Sequence, residues 1–153
     1  MEDLKNLKKF WNKKKVFITG HTGFKGAWLC IILRYLNSSI YGYALKSEKN
    51  SLFNKSKINK EIISNSYSNI NNISKLRKKI QQSKPEIIFH LAAQPLVLES
   101  YKSPLKTFNT NIIGTLNILE CVREVKSVKS VVIITTDKVY KINKRNINYN
   151  ELD

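Results

Sequence analysis

A short apolar run, Val16-Phe17-Ile18-Thr19, stops at Gly20-His21-Thr22-Gly23-Phe24-Lys25-Gly26, and Ala27 to Leu36 then carries apolar residues at helical spacing. The reading is strand, tight turn, helix. In such a unit the first glycine permits the turn, the second lets backbone approach a ligand's phosphates, and the third lets helix and strand pack closely. The free N–H groups and the dipole of the helix start provide a place for an anion. Three glycines alone are a weak signal, because turns use glycine everywhere. Their place between a strand and a helix makes them a candidate dinucleotide site.

The same alternation continues along the chain. Ile40-Tyr41-Gly42-Tyr43-Ala44 predicts a second strand, residues 46–60 are polar enough for a loop, and Glu61-Ile62-Ile63-Ser64 suggests a weak third strand. Ile73, Leu76 and Ile80 share one helical face ahead of Pro85, and Glu86 to His90 reads as a buried fourth strand. Asn109 to Val125 predicts a longer helix, with Ile112, Ile113, Leu116, Leu119, Cys121 and Val122 forming a broad buried face. Val131 to Ile134 is the fifth and clearest strand. Strands alternating with helices need crossover connections. The expected fold is therefore α/β, a Rossmann-type doubly wound, mostly parallel sheet with helices on both faces, truncated after about the fifth strand. A chain of 153 residues suits one such domain, spanning 1–153.

Charge narrows the partners only a little. With 27 Lys+Arg against 11 Asp+Glu, the formal charge of +16 would attract nucleic acid, anionic lipid or phosphorylated small molecules. The excess is spread through Lys-, Asn- and Ile-rich stretches with no aromatic-interleaved stripe, so a solvated biased surface is expected and nucleic acid is not. Cys30 and Cys121 stand far apart, outside any metal-ligand spacing, and read as small core residues on helices; no metal is expected. No run is long enough for a bilayer and the N-terminal stretch lacks an apolar h-region, so no membrane partner and a cytoplasmic location are expected.

Several segments together resemble one branch of the extended short-chain dehydrogenase/reductase class, the CDP-glucose 4,6-dehydratases. They are VFITGHTGFKG (Val16 to Gly26), Gly42-Tyr43-Ala44-Leu45, Ser51-Leu52-Phe53, FHLAAQPLV (Phe89 to Val97), Ser100-Tyr101, Pro104, Thr110-Asn111 with Gly114-Thr115, and ITTDKVY (Ile134 to Tyr140). The resemblance implies a lyase with bound NAD and a substrate that is CDP-glucose or a related nucleotide sugar. The C4 hydride leaves and returns to C6, and water is lost across C5 and C6. It implies that Thr136 hydrogen-bonds the sugar near C4, Asp137 donates to the departing hydroxyl and Lys138 takes the C5 proton. From position alone, Asp137 and Lys138 read as an ordinary charged exit from a strand, and it is the resemblance that reverses that reading. Cofactor contacts are implied at Gly20, His21, Thr22, Gly23, Phe24, Lys25 and Gly26, and further at Asn69, Ile70, Leu91, Ala92, Ala93, Gln94, Thr110 and Thr135.

Other residues have plainer readings. His90 reads as a satisfied near-core histidine, Trp28 as packing, Tyr101 as packing or nucleotide contact, and His21 as a turn residue near the diphosphate. Lys25 is either a cation beside the ligand's phosphates or an exposed helix-start lysine.

The pattern also departs from that branch. Asn69 stands where the class has an aspartate against the adenine, and Leu98 where it has an arginine. Lys46 and Ser47, rather than an acid, follow the second strand, so the choice of NAD over NADP comes from the resemblance alone. The Tyr-x-x-x-Lys pair that completes the site of the class lies past Asp153, and Tyr149-Asn150-Glu151-Leu152-Asp153 resembles a segment shortly before it. The expectation is an N-terminal NAD-binding part without turnover of its own, existing as a homodimer or with a complementing C-terminal chain. A non-catalytic dinucleotide-binding module, or a fragment of another sugar-nucleotide epimerase or dehydratase, is the alternative.

Overall fold

The computed structural model describes residues 2–136, 140, 149 and 150. Five strands, β1 (Lys15–Thr19), β2 (Ser39–Ala44), β3 (Ser64–Tyr67), β4 (Ile87–His90) and β5 (Ser130–Ile133), form one sheet in the order β3-β2-β1-β4-β5. Every pairing is parallel, with Val16 opposite both Ile40 and Ile87. This is the expected doubly wound half, and the reversal of strand order between β1 and β4 opens a crevice at their carboxyl ends.

The helices are α1 (Glu2–Trp11), α2 (Phe24–Tyr35), α3 (Leu52–Lys55), α4 (Ile73–Ser83), α5 (Val97–Lys102), α6 (Pro104–Phe108) and α7 (Gly114–Arg123). Successive residues of β1 point to opposite faces, so each face acquires its own core. Val16 and Ile18 pack with Ala27, Cys30 and Leu33 of α2 and with Phe53 of α3. Phe17 packs on the other side with Leu76 and Ile80 of α4 and with Ile118 and Cys121 of α7. Burial pushes the Cys30 thiol up to about 12, so it behaves as a small apolar residue.

Several expectations need correction. Residues 46–60 are not a plain loop. Ser51 caps α3 by accepting from the Asn54 N–H at 3.3 Å, and Phe53 anchors the turn in the core. A 3₁₀ turn, Ile58–Lys60, follows. The third strand is Ser64–Tyr67, later than expected, because Ile62 is drawn into the cluster around Phe53. The long helix starts earlier, at Pro104, and passes through a π turn at Asn109–Ile113. Of its apolar residues Cys121 is buried, whereas Ile112, Ile113, Leu116 and Leu119 are exposed; the inward face is Gly114, Asn117, Ile118 and Cys121. Trp28 is likewise half exposed, since α2 turns Gly26, Ala27, Cys30 and Leu33 to the sheet. Tyr101 is 80% exposed and packs little within the chain. The N-terminal helix α1 was not foreseen.

Candidate functional site

The glycine turn leaves β1 at Gly20, whose φ of +71° lies in the left-handed region. A Cβ there would come within 2.7 Å of the Ala92 nitrogen and the Leu91 carbonyl carbon, so only glycine fits between the two strand ends. Gly26 fails the same test against the Gly20 carbonyl oxygen and the His21 backbone, which is how α2 starts so close to the sheet. The N-cap of α2 is Gly23, which has no side chain to cap the helix, and its first turn holds no acid. Gly23 to Gly26, whose N–H groups a helix start leaves without intrahelical partners, line the crevice, which is where an anion site would form.

Above this turn lies a cleft of about 490 Å³. Of the residues implied by resemblance, Gly20, Thr22, Gly23, Phe24, Lys25, Gly26, Ile70, Leu91, Ala92, Ala93, Thr110 and Thr135 line it together. Tyr43, Ala44, Leu45, Pro95 and Ile134 line it as well and were not foreseen. Tyr43, Ala44 and Ile134 sit at or just past the ends of β2 and β5, and the rule that ligands bind at strand carboxyl ends is the signal that could have found them. Lys25 is the charged side chain among the described lining residues, and no carboxylate is found there. Those features fit a dinucleotide: a glycine cradle, an uncapped helix start, and small Ala92 and Ala93 where an extended ligand would cross the sheet.

Three implied residues turn away from the cleft. The His21 side chain is fully buried, edge-on to Phe53 and stacked with Tyr67, with Nε2 at 3.0 Å from Asn65 Oδ1. Asn65 donates its Nδ2 to the Asn59 carbonyl, which leaves Oδ1 as acceptor and makes His21 the Nε2–H tautomer. Its Nδ1 lies toward the Tyr43 backbone without a bond of good geometry. Burial, opposed in part by the Asn65 contact, lowers the His21 pKa to about 4. Asn69 accepts from the Asn71 N–H at 2.9 Å and shapes the turn into α4. Gln94 braces the loop after β4 through Leu96 and Thr107.

His90 is the satisfied core histidine that the sequence suggested, and its bonds run in one direction. The Ala92 N–H donates to Thr19 Oγ1 at 3.2 Å, and the Thr19 hydroxyl donates to His90 Nδ1 at 2.6 Å. His90 Nε2–H then donates to Thr115 Oγ1 at 3.1 Å, whose hydroxyl donates to the Asn111 carbonyl at 2.7 Å. Asn111 closes the loop by exchanging bonds with the Gln94 backbone at 2.8 and 3.1 Å. The chain ties β1, β4 and the π turn together beneath Leu91 to Ala93, the floor of the cleft. Burial lowers the His90 pKa to about 4, which keeps the imidazole neutral as this arrangement requires.

Thr136 is exposed one residue past Thr135, which lines the cleft, so β5 delivers it to the carboxyl edge of the sheet. Asp137 and Lys138 lie outside the described residues. Among the described residues no group of His, Cys, Asp and Glu is placed to hold a metal, and no helix is long and apolar enough to cross a membrane.

Comparison with known proteins agrees with this geometry. A family model described as GDP-mannose 4,6 dehydratase matches residues 17–151. A CDP-glucose 4,6-dehydratase of Salmonella typhimurium is 46% identical over 134 residues, covering 87% of this chain and 37% of that protein. Among solved structures, Epimerase Mth375 from Methanothermobacter thermautotrophicus superposes with a TM-score of 0.79 at 22% identity, covering 98% of this chain and 43% of that one. The UDP-glucose-4-epimerase of Stenotrophomonas maltophila, with bound NAD and formylated UDP-arabinopyranose, gives a TM-score of 0.71 at 23% identity, covering 87% and 40%. The two structures share the fold. The chain thus spans well under half the length of each of these relatives.

Proposed function

The chain belongs to the GDP-mannose 4,6 dehydratase family, within the sugar-nucleotide dehydratases and epimerases, and from that premise we propose that its cleft binds NAD for the 4,6-dehydration of CDP-glucose. The observation that carries the NAD reading is the cleft itself, a glycine cradle under an uncapped helix start with no carboxylate among its described lining. The choice of CDP-glucose rests on the 46% identity to the Salmonella enzyme.

NAD, when bound, would supply the acceptor and donor for the hydride that leaves C4 and ends on C6. The chain's own residues would bind the cofactor and carry the proton transfers at C5 and C6. Phe24, Lys25 and Gly26 would present N–H groups to the diphosphate, with the Lys25 ammonium beside it, and Ala92 and Ala93 would let the cofactor lie close to the sheet. His90 would hold those alanines in place through Thr19. Thr136 would hydrogen-bond the sugar near C4, Asp137 would give a proton to the C6 hydroxyl as it departs as water, and Lys138 would take the C5 proton. Lys138 must be neutral for that step, and a neighbouring cation or desolvation would favour the neutral form.

Calorimetric titration of the full chain with NAD tests the binding step. One saturable site is expected, and Gly23→Val should weaken it by at least about tenfold by crowding the cradle. Unchanged binding by that variant would remove the cofactor from the turn. Turnover is expected to need more than these 153 residues, since the matched relatives are far longer. A 4-keto-6-deoxy sugar made from CDP-glucose by the chain alone would overturn that part.

A further inference from the structure

A Rossmann-type fold reads the ribose of the adenosine at the carboxyl end of its second strand, about 20 residues past the glycine turn. In this chain β2 ends at Ala44, and Ala44 and Leu45 line the cleft. The next residue, at that spacing from Gly26, is the exposed Lys46. An acid in this place accepts hydrogen bonds from the ribose hydroxyls and repels a 2′-phosphate; a cation reverses the second preference.

The exit of β2 is held in register with the cleft from both sides. Gly20 N–H donates to the Tyr43 carbonyl at 2.9 Å, and Thr22 Oγ1 donates to the Leu45 carbonyl at 2.9 Å. On the β3 side, Ser68 N–H donates to the Ala44 carbonyl at 2.8 Å. The carboxylate nearest in sequence, Glu48, starts the turn into α3, where its carbonyl accepts from Ser51 N–H and Asn54 Nδ2. No acid lines the cleft among the described residues, and Lys25 adds a second cation at the diphosphate end.

We propose that the cleft takes a 2′-phosphorylated dinucleotide, NADP, as well as NAD, with Lys46 as the residue that meets the 2′-phosphate. The inference rests on the dinucleotide reading above and adds to it a specificity residue. A dinucleotide site of this family would then be permissive at the ribose, where an acid would have made it selective.

The test is a calorimetric comparison of NAD with NADP, and of ADP with 2′,5′-ADP, on the full chain and on Lys46→Ala and Lys46→Asp. Because Lys46 is exposed, the variants should melt with the parent chain, which is checked by circular dichroism. NADP is expected to bind within about tenfold of NAD, and Lys46→Ala to weaken NADP and 2′,5′-ADP by about tenfold while moving NAD by less than about twofold. Lys46→Asp should exclude NADP and leave NAD bound. Wild-type binding of NADP more than about a hundredfold weaker than NAD, or NADP binding that ignores both substitutions, overturns the inference and leaves the NAD site standing. Failure of both dinucleotides to bind overturns the site reading and this inference together.

Discussion

Both histidines are buried and neutral: the bond that His90 Nδ1 accepts from the Thr19 hydroxyl needs the neutral ring, whereas the bond that His21 Nε2–H donates to Asn65 would survive protonation, and burial alone keeps His21 neutral. Both have folded pKa values lowered from 6.5 to about 4, first of all by desolvation. The unfolded rings take up protons near pH 6.5 and the folded ones only near pH 4, so between those values the unfolded state binds more protons. Stability is then full above pH 6.5 and falls as the pH drops toward 4, by up to roughly 3 kcal/mol for each ring. Denaturant unfolding at about pH 7.5 and pH 4.5 should show that loss, and imidazole resonances in the native protein should keep the Nε2–H signature down to about pH 5. A ring titrating near pH 6.5 in the folded state would contradict its placement. The sequence suggested the satisfied state of His90, because the end of a buried strand dictates it. The burial of His21 was not legible, since its direction is set by Asn65, Phe53 and Tyr67, more than thirty residues away.

Elements with a strong apolar period were legible and those held by pairing were not. β1 and β4 carry continuous Val, Ile and Phe runs, as strands buried on both faces do, and β5 carries Val131-Val132-Ile133 although it lies at the sheet edge with Val132 exposed. β3 is Ser-Asn-Ser-Tyr, and its register comes from pairing with Tyr41 to Ala44 of β2. It lies at the sheet edge, where its own hydrophobicity matters least. α3 is only four residues long, and a single side chain makes it an element: Phe53, fully buried between α2 and the His21 ring. Phe53→Ala should cost about 3–5 kcal/mol and release the segment between β2 and β3. The check is a urea midpoint together with limited proteolysis within residues 46–60. A loss under about 1 kcal/mol with no new cleavage would show that the segment is held by its polar contacts. The cleft was legible in two ways: the glycine turn from its place between strand and helix, and Leu91 to Ala93 and Thr135 from the resemblance. Asn69 and Gln94 departed because their side chains are engaged in local turns that motif matching does not see.

Taken whole, the molecule has a basic surface and, among the described residues, an exposed run of large apolar side chains. Leu98, Tyr101, Leu105, Phe108, Ile112 and Leu116 are each more than half exposed along α5, α6, the π turn and α7. Monomeric surfaces rarely expose a contiguous apolar area larger than a few hundred Å². The sheet adds an edge at β5, where Val132 is partly exposed. Against association stands the charge of +16, which makes two copies repel. That repulsion acts at long range and is screened, with a Debye length near 30 Å at 0.01 M salt and about 8 Å at 0.15 M, whereas apolar burial is not weakened by salt. The balance predicts self-association that grows with ionic strength, opposite to what an ion-paired interface would show. Sedimentation velocity at about 0.02 M and about 0.3 M sodium chloride should show the larger species at the higher salt. Leu116→Glu, an exposed site on α7, should shift the population back to monomer without lowering the melting temperature. A chain that stays monomeric at both salt concentrations, or a Leu116→Glu variant that associates as before, would show that this face is not what holds the copies together.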